Sequence, residues 1–224
     1  MQFKDDRIIE AYVGEYASGK SENAVNRALA IRGQGLSVTL VDLDTVEPCY
    51  TMRPIKAQLE ALGINVDAWE PQAVMGLGET GGLMKSSMRW ALKRPGNIIL
   101  DIGYGVHGAA IFNLIEGAFD NPWLKIIAVV NMSRPVTATV NDVVNYVRSL
   151  GRVDALLNNT HLAEETTVRL VQTGALRVRE AGEKLGLPLI ATAAVTPIAE
   201  QIGKVDCVGS PVRKLERFMT NALW

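Results

Sequence analysis

The sequence predicts an α/β fold with a mostly parallel sheet of about seven strands and helices on both faces. Apolar runs of strand length alternate with longer stretches of helical period along the chain. Most of the strand runs are continuously apolar, as in "IIAVV" and "DALLN", which is typical of strands that are covered on both faces. Such alternation favours right-handed crossovers between parallel strands.

The elements follow each other in a regular order. Strands are predicted at residues 8–13, 37–43, 65–69, 97–102, 125–131, 153–158 and 188–193. Helices are predicted at residues 22–32, 53–62, 82–93, 108–118, 137–150 and 164–185. Because ligands of such sheets bind at the carboxyl ends of the strands, functional residues are expected directly after them.

Composition describes an ordinary globular chain. Its 224 residues are 48% hydrophobic and 21% charged, with a formal net charge of -1. Because no linker or repeat divides the chain, we expect one domain spanning residues 1–224. A partner nucleic acid is not expected, since the basic excess typical of such proteins is missing.

The two cysteines, Cys49 and Cys207, lie far apart and belong to no CxxC or Cys/His cluster. We therefore expect reduced thiols in a cytoplasmic protein. The N-terminal residues show no signal-peptide pattern, and no apolar run is long enough for a membrane span.

The first predicted strand is followed by a loop with the spacing of a phosphate-binding site. "GEYASGKSE" fits G-x-x-x-x-G-K-[ST] and leads directly into a helix, the setting that this pattern requires. The loop N–H groups and the helix N-terminus would hold phosphates, Lys20 would contact the β and γ phosphates, and Ser21 would ligate Mg²⁺. The expected nucleotide-binding residues here are Gly14, Glu15, Tyr16, Ala17, Ser18, Gly19, Lys20, Ser21 and Glu22.

Three aspartates lie at the ends of two predicted strands. "LVDLD" places Asp42 and Asp44 on one side of the second strand, and "IILDIG" places Asp101 at the end of a later one. Asp101 is predicted to hold magnesium through water, as the Walker B position does, and Asp44 to orient the attacking water. Asp42 is assigned either to the metal or to securing the loop.

The C-terminal segment has the pattern of an amphipathic helix. Ser210 suits an N-cap, Pro211 suits the first helical position, and apolar residues follow at helical spacing. We expect this helix to pack on the sheet; binding to a membrane surface is the alternative.

These motifs resemble the MinD/ParA-like branch of P-loop NTPases, also called the CobQ/CobB/MinD/ParA nucleotide-binding group, in a class that includes signal-recognition GTPases. The resemblance rests on "GEYASGKSE", "VTLVDLDTVEP", "NIILDIGYGVHG", "NMSRPVT" and "LLNNTHLAEETT", in the family's order. It implies a P-loop NTPase fold, bound ATP and Mg²⁺, and switch loops after "VDLD" and "LDIG". The family's signature lysine is replaced by Glu15, which weakens the expectation of a nucleotide-sandwich homodimer.

The resemblance also implies where the base binds. An Asn at the end of the "ALLNN" strand contacts adenine in relatives, which points to Asn158 or Asn159, with Thr196 and Pro197 lining the base. A GTP-selective chain would carry N/T-K-x-D there, and "NNTH" lacks the Asp, so ATP is favoured. His161 is either a solvated turn residue or a residue over the base.

The function expected from these observations is a slow ATPase that switches a protein partner or a homodimer. One alternative is a small-molecule kinase or ligase like the cobyric-acid and dethiobiotin synthases, whose acceptor pocket would be built by residues 74–90. The other is a nucleotide-binding adaptor without turnover.

Overall fold

The protein is described here by a computed structural model covering residues 7–45, 52–69 and 84–219. These residues form an eight-stranded sheet in the order β3-β2-β4-β1-β5-β6-β7-β8. All the neighbouring strands run parallel. The predicted α/β class with a parallel sheet is confirmed.

The seven predicted strands are found, each within a few residues of its predicted bounds, and β8 is an eighth strand that was not predicted. Their bounds are β1 Ile9–Gly14, β2 Val38–Leu43, β3 Asn65–Asp67, β4 Asn97–Ile102, β5 Leu124–Val130, β6 Ala155–Asn158, β7 Leu189–Val195 and β8 Val212–Leu215.

The helices in the described ranges are α1 Lys20–Gly33, α2 Lys56–Ala61, α3 Ser86–Arg89, α4 Gly105–Ala109, α5 Val140–Ser149, α6 Val168–Leu185 and α7 Thr196–Ile202. Turns of 3-10 helix precede α2 and α5 and follow α3 and α4. Several helices are therefore shorter than the ranges predicted from the spacing of apolar residues. Helix α7 was not predicted, since Thr196–Ile202 is too short for a periodic signal.

The core has two layers because successive strand residues face opposite sides of the sheet. Ala11 and Val13 of β1 pack with α5 on one face, among residues such as Val143. Tyr12, between them in sequence, packs on the other face with α1. A sheet buried on both faces explains why the strands read as continuous apolar runs.

The prediction of a C-terminal helix starting at Ser210 is wrong. Val212–Leu215 forms β8, which pairs parallel with β7 at the edge of the sheet. The hydroxyl of Ser210 does not cap a helix but donates to the carbonyl of Leu189 at 3.4 Å. Apolar residues at helical spacing were misleading because an open sheet edge offers a full row of backbone hydrogen bonds to an extended segment.

Membrane binding through an amphipathic helix was the alternative for this segment, but Val212–Leu215 is a strand and not part of a helix. Residues 220–224 lie outside the described part. Within that part, no helix has the length and apolar character needed to cross a bilayer. Most of the stretch 74–90, proposed as an acceptor pocket, also falls outside the described residues, as does Cys49.

The packing of α6 against the loop after β6 gives a stability prediction. A Cβ atom on Gly174 would lie 2.2 Å from Oγ1 of Thr160 and 2.9 Å from Oδ1 of Asn158. Gly174→Ala should therefore lower the free energy of unfolding by about 1–3 kcal/mol in urea titrations. The matched control is Gly33→Ala in α1, where nothing lies within 4 Å. That change should raise stability by up to about 1 kcal/mol. Equal effects of the two substitutions would contradict this account of the packing.

Candidate functional site

The parallel sheet gathers the predicted loop and aspartates at one edge. In the register, Asp101 of β4 lies opposite both Tyr12 of β1 and Asp42 of β2. The carboxyl ends of these three adjacent strands therefore place the loop after β1 directly beside the two carboxylates.

Glycine is required at both ends of the loop. Gly14 has φ of 155°, and a Cβ atom there would lie 2.6 Å from the carbonyl oxygen of Val129. Gly19 has φ of 87°, in the left-handed region that favours glycine, and immediately precedes α1. The loop therefore turns sharply into the helix, whose N-terminus carries the partial positive charge of the helix dipole.

Three side chains hold this loop by its carbonyl oxygens. Lys20 Nζ donates to Glu15 at 3.2 Å and Asn159 Nδ2 donates to Ser18 at 2.8 Å. Arg134 Nε donates to Ala17 at 3.2 Å. Since a peptide's N–H points opposite to its carbonyl, the N–H of Gly19 is directed away from Asn159. Such anchoring is what a preformed anion cradle needs.

Glu15 is half-buried, and its carboxylate lies near the hydroxyl of Tyr146 on α5. Burial and the charge of Glu15 raise the pKa of Tyr146, with the backbone of Gly105 opposing the rise. The next loop residue, Tyr16, packs edge-on against Tyr104, with ring centroids 5.6 Å apart. The loop thus contacts α5 and the segment that follows β4.

Both carboxylate oxygens of Asp42 already have partners within the protein. Its Oδ2 lies 2.7 Å from Nε of Arg53, and both side chains are buried. Its Oδ1 accepts from the backbone N–H of Asp44 at 3.0 Å, while Arg53 also donates to the Asp44 carbonyl at 2.9 Å. This geometry favours the loop-securing role for Asp42 over metal binding.

Asp101 differs from Asp42 in having no such partner. Its carboxylate is completely buried, and neither oxygen has a hydrogen bond of ordinary geometry. Burial and the charges of Asp42 and Asp44 raise its pKa to about 8, while Ser21 and Lys20 oppose the rise. A buried carboxylate beside Ser21 and Lys20 has the oxygen chemistry that a hard divalent cation prefers.

A cavity of about 230 Å³ lies next to the loop. It is lined by residues that follow β6, by the end of β7 and the start of α7, by Glu22 of α1 and by residues after β8. These include Asn159, His161, Glu164, Ala193, Pro197, Glu216 and Arg217. Its volume suits a part of a ligand rather than a whole drug-sized molecule.

The residues predicted to contact a base are placed differently from one another. Asn159 and Pro197 line the cavity. Asn158 is fully buried, and its amide donates to the carbonyl of Val171 and to Oγ1 of Thr192. The hydroxyl of Thr196 donates to the Leu215 carbonyl at 3.4 Å. Asn158 therefore has a packing role, and Asn159 is the asparagine next to the cavity.

His161 is not a solvated turn residue. Asn131 Oδ1 accepts backbone N–H groups from Ser133 and His161, so its Nδ2 donates to Nδ1 of His161 at 2.9 Å. Burial lowers the pKa of His161 to about 4, and the charges of Arg134 and Arg217 add to this effect. The ring is therefore neutral at physiological pH, with its proton on Nε2.

Sequence patterns missed Arg53 and the role of Glu22. The Glu22 carboxylate accepts N–H groups from Phe218 and Met219 at 2.8 to 3.1 Å. No local pattern signals these contacts, because each joins residues that are distant in sequence or separated by a loop. The side chain of Glu22 thus supports the C-terminal segment, while lining the cavity.

Comparison with solved structures identifies the fold. A signal recognition particle receptor FtsY from Elizabethkingia anophelis matches with a TM-score of 0.56 and 15% identity, over 84% of this chain and 59% of that one. Cell division protein ftsY from Thermotoga maritima matches with a TM-score of 0.58 and 16% identity, over 86% and 63%. The Signal Recognition Particle 54 kDa protein from Aeropyrum pernix, in complex with GDP, gives 0.53 and 18%, over 84% and 41%.

The chain spans less than two thirds of the length of these proteins. No family model matches the sequence, and no curated protein matches it. The matched structures bear signal-recognition and cell-division names, so the expected MinD/ParA branch within the class is not established by them. At these identities the likeness concerns the fold, and the chain has the P-loop NTPase fold.

Proposed function

We propose that this chain binds Mg-ATP and hydrolyses it slowly, as a nucleotide-dependent switch for a protein partner. The observation that carries the proposal is the buried Asp101 carboxylate, whose oxygens make no hydrogen bond of ordinary geometry and which lies beside Lys20 and Ser21 at the phosphate loop. Burial makes ionisation of this carboxyl group costly, as its raised pKa shows, and a cation bound with the phosphates would compensate the charge of the ionised form.

The loop residues have separate roles in this proposal. Loop N–H groups and the N-terminus of α1 bind the phosphate oxygens, and Lys20 neutralises charge at the β and γ phosphates. Ser21 and Asp101 would hold Mg²⁺, Asp101 through water. Bound magnesium would supply charge neutralisation to the phosphate oxygens. Among the residues that the structure describes, no cluster of three His, Cys, Asp or Glu side chains could hold a metal alone.

Asp44 is the proposed residue that orients water for in-line attack. It is buried, and its backbone is fixed by Asp42 and Arg53. The buried ion pair therefore positions the start of the loop that follows β2. With Glu15 at the second loop position, the chain has no lysine there to stabilise developing charge, so we expect slow turnover.

Adenine is proposed over guanine because "NNTH", directly after β6, lacks the Asp that reads guanine, and because two carboxylates of the cavity already accept hydrogen bonds. Glu22 accepts backbone N–H groups of the C-terminal segment. Glu164 accepts from Nη1 of Arg217 at 3.2 Å. The N1–H and amino group of guanine would have to compete for these acceptors. The MinD/ParA-like motifs also favour ATP.

A protein partner is proposed because apolar side chains surround the site. Tyr16 of the loop, Val106 of α4, Val136 after β5 and Leu162 after β6 are each 39–49% exposed. All of them follow carboxyl ends of strands, and exposed apolar groups that cluster in this way mark interaction surfaces. A homodimer would use the same surface.

The first prediction concerns Lys20. Lys20→Ala should weaken ATP binding by at least about thirtyfold in calorimetric titration, because a buried ammonium that pairs with phosphate is lost. The exposed Lys184, which pairs with Glu180 on α6, supplies the control Lys184→Ala. Unchanged ATP affinity in folded Lys20→Ala would contradict the proposal.

The second prediction concerns the pH dependence of Asp101. Its pKa in the folded, metal-free protein is raised to about 8, so the folded state holds this proton more tightly than the unfolded state. Stability from this group is present below pH 4 and is lost as pH rises towards 8. We expect the Tm of the wild type to fall by about 10 to 20 °C more than that of Asp101→Asn across this range.

At pH 8, Mg-ATP should raise the Tm of the wild type but scarcely that of Asp101→Asn, so that the wild type becomes the more stable of the two. Asp120→Asn, at an exposed position, is the control. If Asp101→Asn follows the wild type in both measurements, Asp101 is not the metal-side carboxylate.

The third prediction concerns base selectivity. ATP should bind at least about tenfold more tightly than GTP in the same calorimetric assay, since "NNTH" lacks the Asp that would accept hydrogen bonds from guanine. Equal or tighter binding of GTP would reject the adenine assignment and leave the phosphate site intact. Phosphate release, measured in parallel, separates a slow ATPase from a non-hydrolysing adaptor.

A further inference from the structure

We propose that the C-terminal segment, residues 216–219, contributes Arg217 to the nucleotide site, where its planar guanidinium packs against the base. This inference rests on the proposed function, because it assigns the neighbouring cavity to the base. It concerns a segment that the sequence motifs did not connect with nucleotide binding.

The cavity lies at the first turn of α1, next to the phosphate loop. Glu22, which lines it, lies in the first turn of α1, directly after Lys20 and Ser21. Asn159, which also lines it, donates to the Ser18 carbonyl of the loop at 2.8 Å. A nucleotide with its phosphates at Lys20 therefore has its base within reach of this cavity.

Two side chains of α1 clamp the C-terminal segment by its backbone. Asn26 makes a reciprocal pair with Glu216, accepting its N–H at 2.9 Å and donating to its carbonyl at 2.8 Å. Glu22 accepts the N–H groups of Phe218 and Met219. Glu22 is only 3% exposed, so these bonds to its charge are shielded from water.

Arg217 lies between the two clamps, and its side chain reaches the opposite wall of the cavity. Its Nη1 is 3.2 Å from Oε1 of Glu164, and both residues line the cavity. The charge of Arg217 also acts on the His161 ring and the Glu22 carboxylate, two other lining groups. A base that enters the cavity thus meets the guanidinium.

The ion pair itself contributes little to folding. Glu164 is 90% exposed and Arg217 is 38% exposed, and pairs of this kind add little to stability. A guanidinium held over a cavity is, however, suited to stacking on an aromatic plane. The position of Arg217 is therefore better explained by a ligand than by the stability of the fold.

The test compares Arg217→Ala and Arg217→Lys with wild type, using ATP and inorganic triphosphate as separate calorimetric probes. Arg89→Ala is the control, since Arg89 forms a similarly exposed ion pair with Glu116, away from the cavity. We expect both Arg217 variants to bind ATP about tenfold more weakly than wild type. Triphosphate affinity should be unchanged, because that probe has no base, and Arg89→Ala should bind both probes like wild type.

Four results would overturn the inference. If Arg217→Ala binds ATP as tightly as wild type, Arg217 does not contact the base. If Arg217→Lys binds ATP as tightly as wild type, the contact does not need a planar group. An equal loss for ATP and triphosphate would place Arg217 at the phosphates instead. If wild type binds triphosphate but ATP no better, the cavity is not the base site; if wild type binds neither probe, the proposed function fails first.

Discussion

The burial of two carboxylates at the carboxyl ends of β2 and β4 is the constraint on which the site depends. Asp42 and Asp101 are register partners on adjacent strands, and both are almost inaccessible to water. Asp42 is compensated by Arg53, which also fixes the chain at Asp44. Asp101 has no equivalent partner, and its pKa is raised to about 8. One carboxylate therefore fixes the chain at the end of β2, while the other is the one that we propose for the cation beside the phosphate loop.

The glutamate in the loop has a structural explanation that its sequence position does not suggest. A carboxylate at Glu15 would repel phosphate if it faced the cradle. It lies instead near Tyr146, whose hydroxyl is also close to the backbone of Gly105, while Tyr16 packs on Tyr104. The second and third loop residues thus connect the loop to α5 and to the segment after β4. If the segment after β4 moved on nucleotide binding, these contacts would transmit the movement to the loop.

The C-terminal segment links the edge of the sheet to the cavity. Strand β8 continues the sheet beyond β7, and the residues after it cross to α1, where Glu22 and Asn26 hold their backbone. The side chain of Glu22, which was predicted to bind the nucleotide, supports this segment and also lines the cavity. The cavity is therefore formed by parts of the chain nearly 200 residues apart, as the separation of Glu22 from Met219 shows.

Local patterns were sufficient to predict the parallel sheet and the phosphate loop. Buried parallel strands need continuous apolar runs, and Gly14 and Gly19 adopt backbone conformations that other residues rarely accept. Only the tertiary structure decided what the polar residues contact. It gave Asp42 and Asp101 different partners, it gave Asn158 and Asn159 different partners, and it made Val212–Leu215 a strand. Each of these outcomes depends on partners distant in sequence, such as Arg53, Thr192 or the open edge of β7. Spacing along the chain specifies which residues reach the same edge of the sheet, but the groups that meet them there are determined by packing.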